Sequence, residues 1–220
     1  MMLKTKLDHI VIGAASLRQG VAFVKERLGV EIPSGGEHPA MGTHNHLMQL
    51  GNDVFLEIIA VNPVAPAPAR PRWYGLDDPC VGWTLTKQPQ LLTWVVNTAD
   101  IKTTMSNALF SFGDPVRVSR GELNWLFGIP DDGRLLAGGM LPYLIQWQTH
   151  VHPAGRMMNL GCRLRGIAIY HPHVEWLASI LSSIDAEQLI TLCGLPTNET
   201  PYLAVEIDTP TGLKTLRTCG

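Results

Sequence analysis

His9, His46 and Glu57 are the residues of this chain best placed to do chemistry. Imidazole and carboxylate groups take up and release protons or bind divalent cations, and each of these three lies inside a β-rich run. His9 belongs to Leu7-Asp8-His9-Ile10-Val11-Ile12, whose period-two alternation puts Leu7, His9 and Val11 on one face. His46 and Glu57 lie on two predicted strands, Thr43 to Leu50 and Asp53 to Val61. Gly51-Asn52 between them suits a primed two-residue turn, because both residues accept positive φ. Such a turn pairs Leu50 with Asp53 and sets His46 opposite Glu57, His44 opposite Ile59 and Met48 opposite Phe55. A slip of one residue would turn the histidines to the other face.

The elements that must position these groups follow a repeated grammar. In the first unit, Ser16 caps a helix with Val21, Val24, Lys25 and Leu28 at helical spacing, and Gly29 stops it. Val30-Glu31-Ile32 reads as a strand and Pro33 to Gly36 as a turn. Pro63 to Pro79, rich in proline and alanine, reads as an extended crossing segment whose Trp73 and Tyr74, with Trp83 beyond, pack on a surface.

The second unit has a strand at Leu92 to Asn97, a helix from Ile101 to about Leu109 capped by Asp100, and strands at Val116–Val118, Leu123–Ile129 and Pro142–Gln148. Aligning the two units puts Trp94 at the position of His9 and Gln146 at that of Glu57, with nearly equal separations. A third, degenerate unit has a strand at Leu164–Ile169, a helix at Val174–Ile184 and strands at Ala186–Leu192 and Tyr202–Ile207. There Gly166 takes the place of His9 and Ala204 that of Glu57, so the framework is present without its polar residues. The resulting division is a paired region, 1–161, with units of about 6–62 and 91–150 and the crossing segment 63–79, followed by 162–220 packed upon it.

Composition excludes several classes. At 220 residues with 45% apolar side chains, the chain can bury a substantial core. A charged fraction of 16% and a net charge of −2 leave no footprint for nucleic acid or an acidic membrane. The longest apolar runs fall short of a membrane span, and Met1 to Lys6 carries no apolar leader core. Cys80, Cys162, Cys193 and Cys219 are scattered without CxxC spacing, which reads as free thiols in a cytoplasmic protein.

Five stretches together, Leu7 to Ile12, Gly42-Thr43-His44-Asn45, Phe55-Leu56-Glu57-Ile58, Leu141 to Trp147 and His152-Pro153, resemble the glyoxalase-like domain of the vicinal oxygen chelate superfamily. The likeness runs from about Leu7 to Leu181. It implies an α+β fold of tandem βαβββ units whose curved mixed sheets form a U-shaped cleft, here with the degenerate C-terminal unit added. Metal-dependent members carry ligands on the first and last strands of two units, and the matching positions are His9, Glu57, Trp94 and Gln146. Trp94 cannot bind a metal, and Gln146 is a weak neutral donor. In this fold the last strand lies between the first and the third, so His46 would join His9 and Glu57 on three adjacent strands. That facial set suits divalent zinc, iron, manganese or nickel, able to polarise a carbonyl or acidify bound water. A metal-free polar cleft, with His9 and Glu57 bonded to each other or to a ligand, is the other reading.

Two functions follow. One is an enzyme acting on a small oxygen-bearing substrate, with Glu57 or His46 moving a proton beside a carbonyl in lyase, isomerase or hydrolytic chemistry. The alternative is a metal-free binding or sequestration protein of the bleomycin-resistance type. Trp94, Trp125 and Gln146 would line the cleft in either case, with Trp147 extending the aromatic wall and Arg120 reaching a carboxylate or phosphate. The pair His150/His152 reads as loop residues, and His171/His173, just before the third helix, as capping or exposed residues. A homodimer is expected, since the third unit's sheet has an edge that needs cover.

Overall fold

The computed structural model describes residues 5–51, 53–149 and 151–218. The chain runs β1 (Lys6–Gly13), α1 (Leu17–Leu28), β2 (Ser34–His38), β3 (Thr43–Gln49), β4 (Phe55–Val61), α2 (Pro79–Lys87), β5 (Gln90–Asn97), α3 (Ile101–Asn107), β6 (Asp114–Arg120), β7 (Leu123–Ile129) and β8 (Tyr143–Trp147). It then continues through β9 (Arg163–His171), α4 (Val174–Ser183), β10 (Thr191–Gly194), β11 (Tyr202–Thr209) and β12 (Gly212–Arg217).

The first eight strands form one sheet in the order β2-β3-β4-β1-β5-β8-β7-β6. Each half is wired alike: β4 returns parallel to β1, β8 returns parallel to β5, and β1 and β5 meet antiparallel at the centre. This is the tandem βαβββ arrangement, in which one half alone would leave its sheet edge unpaired. The sheet curls until its two edges approach each other. A Cβ on Gly36 of β2 would lie 3.1 Å from Arg120 Cδ at the end of β6. A glycine at that edge lets the arginine lie against the backbone.

Local sequence signals place the helices. Ser16 Oγ accepts from the backbone N–H of Gln19, and Gly29 ends α1 in the left-handed region at φ 74. Asp100 caps α3 by accepting from the N–H of Thr103. Helix α1 covers the outer face of the sheet and buries Val24 and Leu28 completely. Burying such side chains stabilises by roughly 1.5–3 kcal/mol each. Gly20 permits the close approach, because a Cβ there would fall 2.3 Å from Ile58 Cγ2.

Several expectations are corrected. Val30–Ile32 is not a strand; the second strand is Ser34–His38, where an edge backbone pairs across two glycines. Residues 79–87 form α2, with Asp78 accepting from the N–H of Cys80 at its cap and Pro79 in the first turn. Trp83 is exposed and carries the Lys87 ammonium 4.0 Å above its ring, whereas Trp73 and Tyr74 are buried.

The last four strands form a separate sheet in the order β10-β9-β11-β12. Here β11 runs antiparallel to β9, whereas β4 runs parallel to β1, so the match of Leu203–Pro210 to Leu56–Pro63 does not extend to strand pairing. In α4, Leu177, Ile180 and Leu181 are buried while Trp176 faces outward. Among the described residues Cys80, Cys162 and Cys193 are unpaired thiols, and Cys219 lies outside them. No described helix is long and apolar enough to cross a membrane.

Candidate active site

The inner face of the curled sheet carries a chamber, and a backbone irregularity decides what enters it. Leu7 pairs with Val96 and His9 with Val95, so Asp8 is an extra residue in β1, a β-bulge. The bulge turns Leu7 away from His9 and brings Asp8 to the chamber side beside it. Asp8 is completely buried, and four donors converge on it. His9 Nδ1 lies 2.6 Å from Oδ1, while Trp147 Nε1 at 2.7 Å, His152 Nε2 at 2.9 Å and Asn97 Nδ2 at 3.1 Å share Oδ2. Burial alone would raise the Asp8 pKa, but the hydrogen bonds from His152 and His9 outweigh it and hold the carboxyl at about 2.

This carboxylate fixes two tautomers. His152 Nδ1 accepts the N–H of Ala154, so its Nε2 carries the hydrogen that goes to Asp8. His9 donates through Nδ1, and in the neutral ring this turns the lone pair of Nε2 to the chamber. The ring is stacked on Phe55, with centroids 4.4 Å apart at 17°, which restricts its rotation.

Glu57 faces that lone pair, with Oε2 3.6 Å from His9 Nε2. The two acceptors face the same point of the chamber without a hydrogen bond between them. Glu57 Oε1 accepts from Asn45 Nδ2 at 2.6 Å, and Asn45 Oδ1 accepts from Arg120 Nη1 at 3.1 Å. His38 completes the cluster. Its Nε2 lies 3.5 Å from both Asn45 Nδ2 and Arg120 Nη1, so it accepts there and donates through Nδ1 to Thr43 Oγ1. Burial first, then the Arg120 charge, push the His38 pKa down to about 3, and the ring stays neutral. Burial also lowers the pKa of Arg120, against an opposing pull from Glu57.

The other half of the chamber is hydrocarbon and aromatic. Trp125 and Phe127 of β7 and Ile145 and Trp147 of β8 line it, closed by Trp73 and Tyr74 from the crossing segment. Tyr74 sits in the left-handed region at φ 60, uncommon for a bulky residue and held here by burial. Its hydroxyl lies 3.5 Å from His9 Nε2. Burial, followed by the Glu57 charge, raises its pKa well above the ordinary value, so it remains a donor. The chamber measures about 30 Å³, room for one or two water-sized groups.

The structure brings His9, Glu57, Arg120 and Trp125 of the sequence-predicted residues to this chamber. His46 is excluded. Leu50 pairs with Val54 across a three-residue loop, 51–53, in which Asp53 takes φ 59. That single extra residue sets Leu47 against Glu57 and His46 against Ile58, so Asn45, not His46, meets Glu57. His46 donates through Nδ1 to Ile32 O at 2.8 Å on the outer side.

Trp94 and Gln146 are each one residue out of phase. Trp94 pairs with Ile10 and donates to Met140 O in the core, and Gln146 binds the backbone of Ala99 and Ile101 at the start of α3. Val95 and Ile145 take the inner positions instead. Asp8, Asn45, Tyr74 and His152 escaped the pattern reading. Asp8, a charged residue inside an apolar strand beside a histidine, offered a signal, and Asn45 and His152 stood in the stretches that carry the family resemblance.

Residues 7–184 match the family model of a glyoxalase-like domain, and the chain belongs to that family, within the vicinal oxygen chelate superfamily. A hypothetical protein from Staphylococcus aureus shares the fold at 13% identity and a TM-score of 0.56, over 99% of this chain and 85% of that one. Partial likenesses include methylmalonyl-CoA epimerase from Mycobacterium tuberculosis, at 14% identity, TM-score 0.40, and 68% and 91% coverage. Another is a triple variant of 4-hydroxymandelate synthase from Streptomyces coelicolor, at 15% identity, TM-score 0.48, and 98% and 63% coverage. Comparison with curated proteins finds no match.

The donor set does not fit the divalent metal that the superfamily implies. His9 and Glu57 are two ligands, where catalytic sites use three protein ligands or more. The facing wall offers Ile145 and Trp147, and the other polar groups of the lining do not complete a set: His38 Nε2 is turned to Asn45 Nδ2 and Arg120 Nη1, Asn45 Nδ2 donates to Glu57, and Tyr74 and Arg120 are donors. Among the described residues no three of His, Cys, Asp and Glu converge as a metal site.

Proposed function

We propose that this protein is an enzyme that transfers a proton at a carbon next to a carbonyl in a small oxygen-bearing substrate, without a protein-held metal. The observation that carries this reading is the 2.6 Å contact between the buried Asp8 carboxylate and His9 Nδ1. It supports Nε2 as an oriented base, because the carboxylate stabilises the imidazolium that forms when Nε2 takes a proton. Glu57, 3.6 Å away, shares that proton and returns it to the substrate. Tyr74 O–H donates a hydrogen bond to the oxygen that gains charge. Such chemistry belongs to an isomerase or to a lyase that begins by proton abstraction.

The test is deuterium uptake from deuterium oxide into pyruvate, acetoacetate and related oxo acids, followed by NMR with chelator-treated protein. Uptake that disappears in His9→Ala supports the reading. Activity that returns only with zinc, iron, manganese or nickel contradicts it.

A second reading is stoichiometric capture of a planar ligand. It is favoured by the tilted pair Trp125 and Trp147, with centroids 5.3 Å apart. Tight binding without turnover of any oxo acid would select it. We further propose a homodimer that covers the free edges of the β10-β9-β11-β12 sheet, which light scattering would show as about twice the chain mass of 24.1 kDa. A cytoplasmic location is consistent with the unpaired thiols.

A further inference from the structure

A second cavity of about 530 Å³ adjoins the chamber and shares Leu47, Arg120 and Met157 with it. Its remaining wall is largely apolar, including Leu123, Pro153 and Met158. Charge comes from Arg120 and Arg156 alone, with no carboxylate in the lining. Arg120 stands at the boundary. It is half-buried, and among the described residues no carboxylate lies within salt-bridge distance of it. Its described hydrogen bonds all use Nη1, directed at Asn45 and His38, so the rest of the guanidinium fork is free to meet a planar anion.

Size then separates the two cavities. The chamber admits a reacting head of a few atoms, whereas the outer cavity has the volume of a site for a whole small molecule. We propose that the outer cavity seats the apolar body of a monocarboxylate, with its carboxylate held bidentately by Arg120 and its reactive end directed into the chamber. The substrate class is therefore an oxo acid with an aliphatic or aromatic tail. Glycines preserve the approach: a Cβ on Gly35 would fall 2.4 Å from Asn45 Oδ1 and 2.7 Å from Leu47 Cγ. The direction of the reactive end rests on the proton-transfer reading, but the capture of a carboxylate with an apolar tail does not.

The experiment is titration of the full chain with octanoate, octanamide and acetate, read by tryptophan fluorescence from Trp125 and Trp147. Octanoate should bind the wild type far more tightly than acetate, since each added methylene strengthens burial several-fold. Octanamide should bind about tenfold or more weakly than octanoate, and Arg120→Gln should lose octanoate affinity to the same degree. Met157→Trp, which narrows the passage without altering charge, should weaken octanoate and spare acetate. Gln146→Ala, outside both cavities, should bind octanoate as the wild type does. Failure of octanoate to bind, equal binding by Arg120→Gln, or indifference to chain length would overturn the proposal. The predicted binding pattern without deuterium uptake would leave it standing and remove the proton-transfer reading instead.

Discussion

The two walls of the chamber are built by the same strand wiring and carry opposite chemistry. On β1, β3 and β4 the inward positions hold His9, Asn45 and Glu57, while on β5, β7 and β8 they hold Val95, Trp125, Phe127, Ile145 and Trp147. The fold supplies the concave surface twice, and the side chains make one half polar and the other aromatic and aliphatic. The contrast teaches that the scaffold does not carry the chemistry by itself. In the proposed reaction the polar half would place a base and an acid, and the aromatic half would exclude water and strengthen their electrostatics.

The two halves meet where Trp147, His152 and Asn97 reach Asp8, and again where Arg120 bonds Asn45 and His38. The largest expected effect is therefore on the polar wall. Removing the base in His9→Ala should lower deuterium exchange by roughly 10²–10⁴-fold, measured on a substrate found by the exchange screen. Next comes Asp8→Asn, which keeps the shape but sets an amide N–H₂ among four donors. It should cost about 3 kcal/mol in denaturant unfolding, and exchange should fall as His9 loses its tautomer.

Acid provides a third test. The His38 pKa is about 3 in the folded chain, against 6.5 when unfolded, so only the unfolded state takes the proton between those values. Stability should fall from near pH 6.5 toward 3, by about 1.4 kcal/mol per pH unit for that proton. His38→Asn should flatten this slope. Asp8 adds a further loss from about pH 4 to 2, because its folded pKa is depressed and protonation removes its contribution.

A smaller effect distinguishes the two roles of the aromatic wall. Trp147→Phe keeps the apolar surface but removes one of the Asp8 donors, and should cost about 1 kcal/mol. The smallest effects belong to residues outside the chamber. Gln146→Ala and His46→Ala should each change stability by about 1 kcal/mol or less, with deuterium exchange unchanged. A large loss of exchange in either would mean that the chamber is drawn in the wrong place.

Much of the scaffold was legible in the sequence, because helix caps at Ser16 and Asp100 and runs such as Leu123–Ile129 are local signals. The site was legible only in part. A β-strand reads by parity, and parity is lost wherever one residue is added. The bulge at Asp8 and the third loop residue at Asp53 each add one. The first hid Asp8, and the second exchanged His46 for Asn45. Trp94 and Gln146 failed in the same way, displaced by one position from Val95 and Ile145. Tyr74 and His152 arrive from connections between strands, where no periodicity exists to be read.

The central claim is that Asp8 fixes His9 as a metal-free base, and nitrogen NMR of the histidine rings tests it without knowledge of the substrate. The account predicts that the neutral His9 ring carries its hydrogen on Nδ1, with the lone pair on Nε2. It also predicts that the tautomer is lost in Asp8→Asn and that one equivalent of zinc leaves the Nε2 resonance in place. An Nε2–H tautomer, or stoichiometric displacement of that resonance by zinc, would contradict it.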